Sequence, residues 1–153
     1  MKTLIICAFA TALLTVLAAQ DINVPGNVRT VFKNLYPDAV NVKWGKEDKD
    51  EFEAEFKLNG KSISVIIDED GELGETETGI EISELPASAI GYIKANFKDY
   101  EITEAAKIVD EDDSVTFEAE ISVNNKKQDV LFDSNGNHLK NHSKSGEEEE
   151  DAD

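Results

Sequence analysis

Three blocks of this chain occur twice in the same order, and that duplication limits the possible folds more than any other feature. Val24-Pro25 and Leu85-Pro86 each open a helical pattern, 61 residues apart. Phe52-Glu53-Ala54-Glu55-Phe56 returns as Phe117-Glu118-Ala119-Glu120-Ile121, 65 residues apart. Val65 to Gly71 returns as Val130 to Gly136 at that same spacing, so the second copy carries four extra residues between helix and strand.

Each copy offers the two apolar patterns that a layered fold needs. Val24, Val28, Val31, Phe32 and Leu35 mark one face of a helix, with Pro25 where a first-turn proline is tolerated, and Leu85, Ala89, Ile93 and Phe97 do so after Pro86. Such a stripe must be buried against another element. Phe52, Ala54, Phe56 and Leu58 alternate with Glu51, Glu53, Glu55 and Lys57, the period of a half-buried strand. Asn59-Gly60 turns that strand into Ile63, Val65 and Ile67, and Asn124-Asn125 does the same in the second copy. A strand through Val40, Val42 and Trp44 precedes the first hairpin, and a further one from Leu73 to Thr78 follows it.

The fold class expected is therefore α+β: two tandem repeats, each a helix followed by three or four antiparallel strands, with the helices packed on one face of the sheet. Trp44, Phe52, Phe56, Phe117 and Phe132 fall on the apolar side of their patterns and are expected in a core that the copies share. The division expected is a signal peptide over residues 1–19, a first repeat over 20–80, a second over 81–142 and an acidic tail over 143–153. The tail has no apolar residue except Ala152 and cannot repay the entropy of ordering.

The signal reading rests on Lys2, the apolar run from Leu4 to Leu17 and the small residues that follow. That run is shorter than the ~20 apolar residues of a spanning helix. Cys7, the sole cysteine, sits inside it without the context of a lipid-attachment site, so the exported chain would have neither disulfide nor cysteine-bound metal. The compartment implied is periplasmic or secreted. With 33 acidic against 15 basic residues the net charge is −18, and loss of Lys2 makes it one unit more negative. That field repels nucleic acid and anionic lipid, leaving a basic protein or peptide, or cations, as partners.

On the Val24-Pro25 and Leu85-Pro86 helix starts, Tyr36-Pro37, Val42-Lys43-Trp44, the Phe52 strand and the Asp68 to Gly71 and Asp133 to Gly136 turns, the chain resembles the PepSY-like, β-lactamase-inhibitor-like family of exported two-repeat proteins. The resemblance implies a helix-backed antiparallel sheet whose open face is presented to a protein partner. The inhibitor proteins proper use disulfides and an aromatic-rich contact face, whereas this chain's outward strand positions are mainly Glu, Ser and Thr.

No nucleophile elbow, phosphate-binding glycine loop or H-E-x-x-H motif is present, so no catalytic residue and no enzyme activity are expected. His138 and His142 stand beside the tail, where a solvated chain end is the plainer reading than a ligand pair. Asp68 and Asp70, with Asp133 and Asn135 in the second copy, resemble the start of a calcium loop, but Leu73 and Gly79 stand where an EF-hand needs Gly and Glu. Turn chemistry is the competing explanation. The Asp110 to Asp113 run reads as a solvated loop. Most informative are Glu53, Glu55, Glu118 and Glu120, at matched positions on the strand side opposite the core, where like charges destabilise a sheet unless a partner offsets them. The function expected is an exported, non-enzymatic module presenting this acidic face to a basic protein or peptide, possible inhibitor-like use included. The alternatives are a calcium-binding or other cation-binding envelope protein and a structural component of an envelope complex.

Overall fold

The computed structural model describes residues 22–140, so the expected signal segment, the whole acidic tail and His142 lie outside the described residues. Within them the chain runs α1 (Gly26–Leu35), β1 (Val40–Asp48), β2 (Glu51–Leu58), β3 (Lys61–Asp68), β4 (Leu73–Gly79), a 3-10 turn (Ile82–Glu84), α2 (Ala87–Asn96), β5 (Tyr100–Val109), β6 (Val115–Val123) and β7 (Lys126–Asp133). The seven strands make one antiparallel sheet in chain order. The protein is α+β.

Local chemistry explains the boundaries. Pro25 and Pro86 sit at the two helix starts with φ of −55° and −53°, and Lys33 and Lys94 stand in the last turns, where a cation complements the helix dipole. Asn59 (φ 52°) with Gly60 (φ 82°), and Asn124 (φ 53°) with Asn125 (φ 63°), are left-handed at both central positions. That is the two-residue turn that matches strand twist, and Leu58↔Lys61 and Val123↔Lys126 close the two ladders.

Register decides which face each side chain occupies, because directly paired residues of antiparallel strands project to the same side. One row crosses the sheet as Phe56, Ile63, Thr78, Lys107, Phe117 and Phe132. Val24, Val28 and Phe32 bury against Phe52, Ala54, Phe56, Ile63, Val65 and Ile67 at one end of that face. Leu85, Ala89 and Ile93 bury against Ala105, Ala119, Ile121, Val130 and Phe132 at the other. The single shared core expected from sequence is thus two clusters, because Thr78 and Lys107 occupy the row between them.

Phe52, Phe56 and Phe132 are buried as expected, whereas Trp44 and Phe117 are only half-buried. Trp44 lies on the edge strand, with Phe32 edge-on at 5.2 Å and the Arg29 guanidinium 5.6 Å from its ring, and Phe117 neighbours Lys107. Leu35 departs from its stripe and is 49% exposed: the chain leaves the helix there, and Tyr36 packs on Phe32 and Phe56 instead. Val40 and Val42 are exposed too, since Asn41 (φ 58°) lies where the β1 register slips between Val40 and Lys43. The pairs Trp44↔Ala54 and Ala105↔Ala119 put the four extra residues of the second copy in the Asp110 to Ser114 connection. There Ser114 Oγ donates to Asp110 Oδ2 at 2.8 Å, so the acidic run belongs to a turn.

Candidate functional site

The buried residues of both helices join the clusters just described, which leaves the other sheet face without a helical layer. One row on it reads Glu55, Ser64, Glu77, Ile108, Thr116 and Asp133, and another pairs Glu104, Glu120 and Asp129. Between them Gly79 pairs with Ala106 and Ala106 with Glu118, while Ser62 lies against Gly79. Three small residues in succession leave a hollow, and a cleft of about 550 Å³ opens there, lined by Glu55, Glu77, Glu104, Glu118 and Glu120 and by the exposed Ile82.

The four glutamates singled out from sequence are on this face, but not equally in solvent. Glu55 is exposed and Glu53 half-buried, as a solvent-facing ladder requires. Glu118 and Glu120 are 3% and 7% exposed, so on the second copy these two, expected to be presented on the open face, are buried. The reason is apolar neighbours: Ile66, Ile108 and Leu131 are buried on the same side as the carboxyls. The sequence reading missed Glu75 and Glu77, both buried on β4, and half-buried Glu104. Their signal was present in the alternation Glu75-Thr76-Glu77-Thr78, which sets both glutamates opposite the threonines.

Partners are unevenly supplied. Ser64 Oγ donates to Glu53 Oε1 at 2.5 Å. Glu120 Oε1 accepts from the Thr103 hydroxyl and pairs with Lys127 Nζ at 2.7 Å. Both carboxyl oxygens of Glu77 and one of Glu118 are buried with no hydrogen-bond partner among the described residues. Burial, then the neighbouring Glu118, pushes Glu77 up to about 9. Burial, then Asp129, raises Glu118 to about 8, and burial, then Asp110, raises Glu75 to about 7. A carboxyl group loses its water here and gains neighbours of like sign, so at neutral pH Glu77 and Glu118 keep their protons.

Two of the residues considered for calcium, Asp68 and Asp133, are engaged within their own turns. Asp68 Oδ1 accepts from the Glu72 amide at 2.8 Å. Asp133 accepts from the Asn135 and Asn137 amides at 2.9 and 2.8 Å and from Asn137 Nδ2 at 2.9 Å, and these bonds, the Asn137 side chain first, hold its carboxyl below the usual range. Asp70 and Asn135 are exposed. Each turn is fastened to a helix: Asn27 Nδ2 donates to Glu69 O, and Ser88 Oγ to Asn135 O at 2.7 Å. Among the described residues no group of three or more His, Cys, Asp or Glu is arranged to hold a metal ion. His138 stacks on Tyr92 with ring centres 4.3 Å apart and pairs with Phe132, a packing position in the second cluster. Among the described residues no helix is long and apolar enough to cross a membrane.

No family model matches the chain, and no curated protein matches it significantly. Solved structures do. A protein from Bacteroides eggerthii, provisionally described as periplasmic, superposes with a TM-score of 0.68 at 24% identity over 76% of this chain and 86% of that one. A DUF2874 family protein from Bacteroides uniformis gives 0.67 at 21% identity over 76% and 86%. A BLIP-like protein from Bacteroides fragilis gives 0.60 at 21% identity over 76% and 83%. The chain thus has the fold of these Bacteroides proteins, on the inhibitor-like side of the resemblance drawn from its sequence, while the PepSY-like side rests on the sequence motifs alone.

Proposed function

We propose that this protein is an exported, non-enzymatic binding module, periplasmic or secreted, whose helix-free sheet face takes a basic protein or peptide surface. The observation that carries the reading is the gathering of Glu53, Glu55, Glu75, Glu77, Glu104, Glu118 and Glu120 on one face while both helices occupy the other. Carboxyls crowded on neighbouring strands either repel one another or are held protonated, and both are costly, so a face of this kind is best explained by a basic partner that offsets them. The solved structures of like fold, one described as periplasmic and one as BLIP-like, agree with export and with recognition of a protein. We read the architecture as a duplicated helix-and-strands unit, supported by the matched pairs Trp44↔Ala54 and Ala105↔Ala119 and by the matched turns ending in Gly71 and Gly136.

The test is binding to immobilised poly-L-lysine at low and moderate salt, for the wild type and for a variant with Glu53, Glu55 and Glu104 changed to Gln. Glu120 is left in place because it holds Lys127 and Thr103. The wild type should bind at low salt and weaken as salt screens the field, and the variant should bind roughly tenfold or more weakly while staying folded. A variant that binds as well as the wild type at every salt concentration would show that this face is not the binding surface.

A further inference from the structure

The cleft at the centre of the acidic face is more specific than its charge. Its floor is formed by small residues, because Ser62, Gly79 and Ala106 lie side by side, and the exposed Ile82 gives its lining an apolar side. Glu77, 1% exposed, lines it with both carboxyl oxygens unpartnered, and Glu118 adds a third unpartnered oxygen two strands away. A buried polar atom without a partner has lost its water and gained no bond in return, so these oxygens offer bonding capacity to a donor that enters the cleft.

We propose that this cleft takes a single arginine side chain of a partner protein, its guanidinium bridging Glu77 and Glu118 and its methylene stem lying along Ile82. The inference rests on the binding-module reading and narrows it to one recognised group. A guanidinium fits where an ammonium does not: it is planar, carries five donors in a fixed fork and is weakly hydrated, so it meets several oxygens and surrenders little water. A bare metal ion is disfavoured because the described acidic residues include no group arranged to hold one.

Binding is linked to protons. The groups facing Glu77 are Glu75 on its own strand, Glu53 from β2, Glu118 from β6 and Asp129 from β7, all acidic, and Lys127 is paired to Glu120 in the adjoining row. A guanidinium placed among them favours the ionised carboxylates, so its arrival releases protons from Glu77 and Glu118.

The experiment is isothermal titration of the exported chain with three capped tripeptides, glycyl-arginyl-glycine and its lysine and citrulline counterparts, at pH 7.5 in two buffers of different ionisation heat. The arginine peptide should bind about tenfold or more tightly than the citrulline peptide, which has the shape without the charge, and more tightly than the lysine peptide. Its apparent heat should change between buffers in the direction of proton release. Glu77→Gln should lose about tenfold in affinity while remaining folded, and Ala106→Leu, which fills the cleft and removes no carboxyl, should lose as much. Equal binding of arginine and citrulline peptides, or full affinity in Glu77→Gln, would overturn the proposal. So would heat from calcium chloride where the arginine peptide gives none. If poly-L-lysine is still bound in a salt-sensitive way while the arginine peptide is not, the cleft assignment falls and the acidic-face reading stands. If neither binds, both fall.

Discussion

A buried carboxyl without a partner is an uncommon feature, and Glu77 makes the stability of this protein depend on pH. Its proton is held to about 9 in the fold, and that of Glu118 to about 8, against the ordinary value of 4.5. The folded state therefore binds more protons than the unfolded chain across that window, and stability falls as pH rises. The contribution is whole below about pH 4.5 and is lost as pH climbs through the folded values. Asp133 works in the opposite sense: its lowered value adds stability above the ordinary carboxyl range, and that stability is lost on acidification. Urea midpoints measured from mildly acid to mildly alkaline pH should decline for the wild type, and Glu77→Gln should flatten the decline and be more stable at the alkaline end. A midpoint that rises with pH would contradict the placement of these groups. At this scale the sequence was half legible. Glu53, Glu55, Glu118 and Glu120 stood out because they recur at one spacing, and they do share a face. The burial of Glu118 and Glu120 could not be read, because Ile66, Ile108 and Leu131 reach their face only through the register of neighbouring strands.

Among the elements, those fixed by backbone chemistry were the most legible. The Asn59-Gly60 and Asn124-Asn125 hairpins, and the helices after Pro25 and Pro86, follow from short-range preferences that distant contacts do not override. Strand β1 was harder, since the slip at Asn41 breaks the alternation that Val40 and Val42 suggest. The Asp-to-Gly turns needed three dimensions as well, because nothing local shows that they dock on helices. Gly136 (φ 77°) is the sharper case: a Cβ there would come within 2.7 Å of Pro86 Cβ and 3.0 Å of the Ala89 amide. Gly136→Ala should therefore cost more than the ~1 kcal/mol of an unsuitable backbone alone, whereas Gly91→Ala, with open space around it inside α2, should be stabilising or neutral. Chemical denaturation of the two variants decides it, and equal midpoints would mean the turn is not seated on α2.

For the whole molecule, the consequential fact is that the sheet is continuous and the core is not. Strands β4 and β5 are joined by four register pairs, Thr76 to Gly79 with Ala106 to Val109, and the helix-covered face carries Thr78 and Lys107 at that seam. Hydrophobic contact is the main source of cooperativity, so the halves should open with different free energies. Trp44 fluorescence reports the first half and hydrogen exchange of β6 and β7 amides the second. Their urea transitions should differ in midpoint, and coincident curves would show that backbone pairing alone couples the halves.

The duplication that organises the sequence also decides where a ligand would be felt. Glu77 stands on β4 and Glu118 on β6, one on each side of the seam, with Gly79 and Ala106 facing each other between them. A group that grips both carboxyls ties one half to the other, as a rivet does two plates. Occupancy of the cleft should then bring the two unfolding transitions together, so that partner binding is written in how sharply the protein melts as well as in how late.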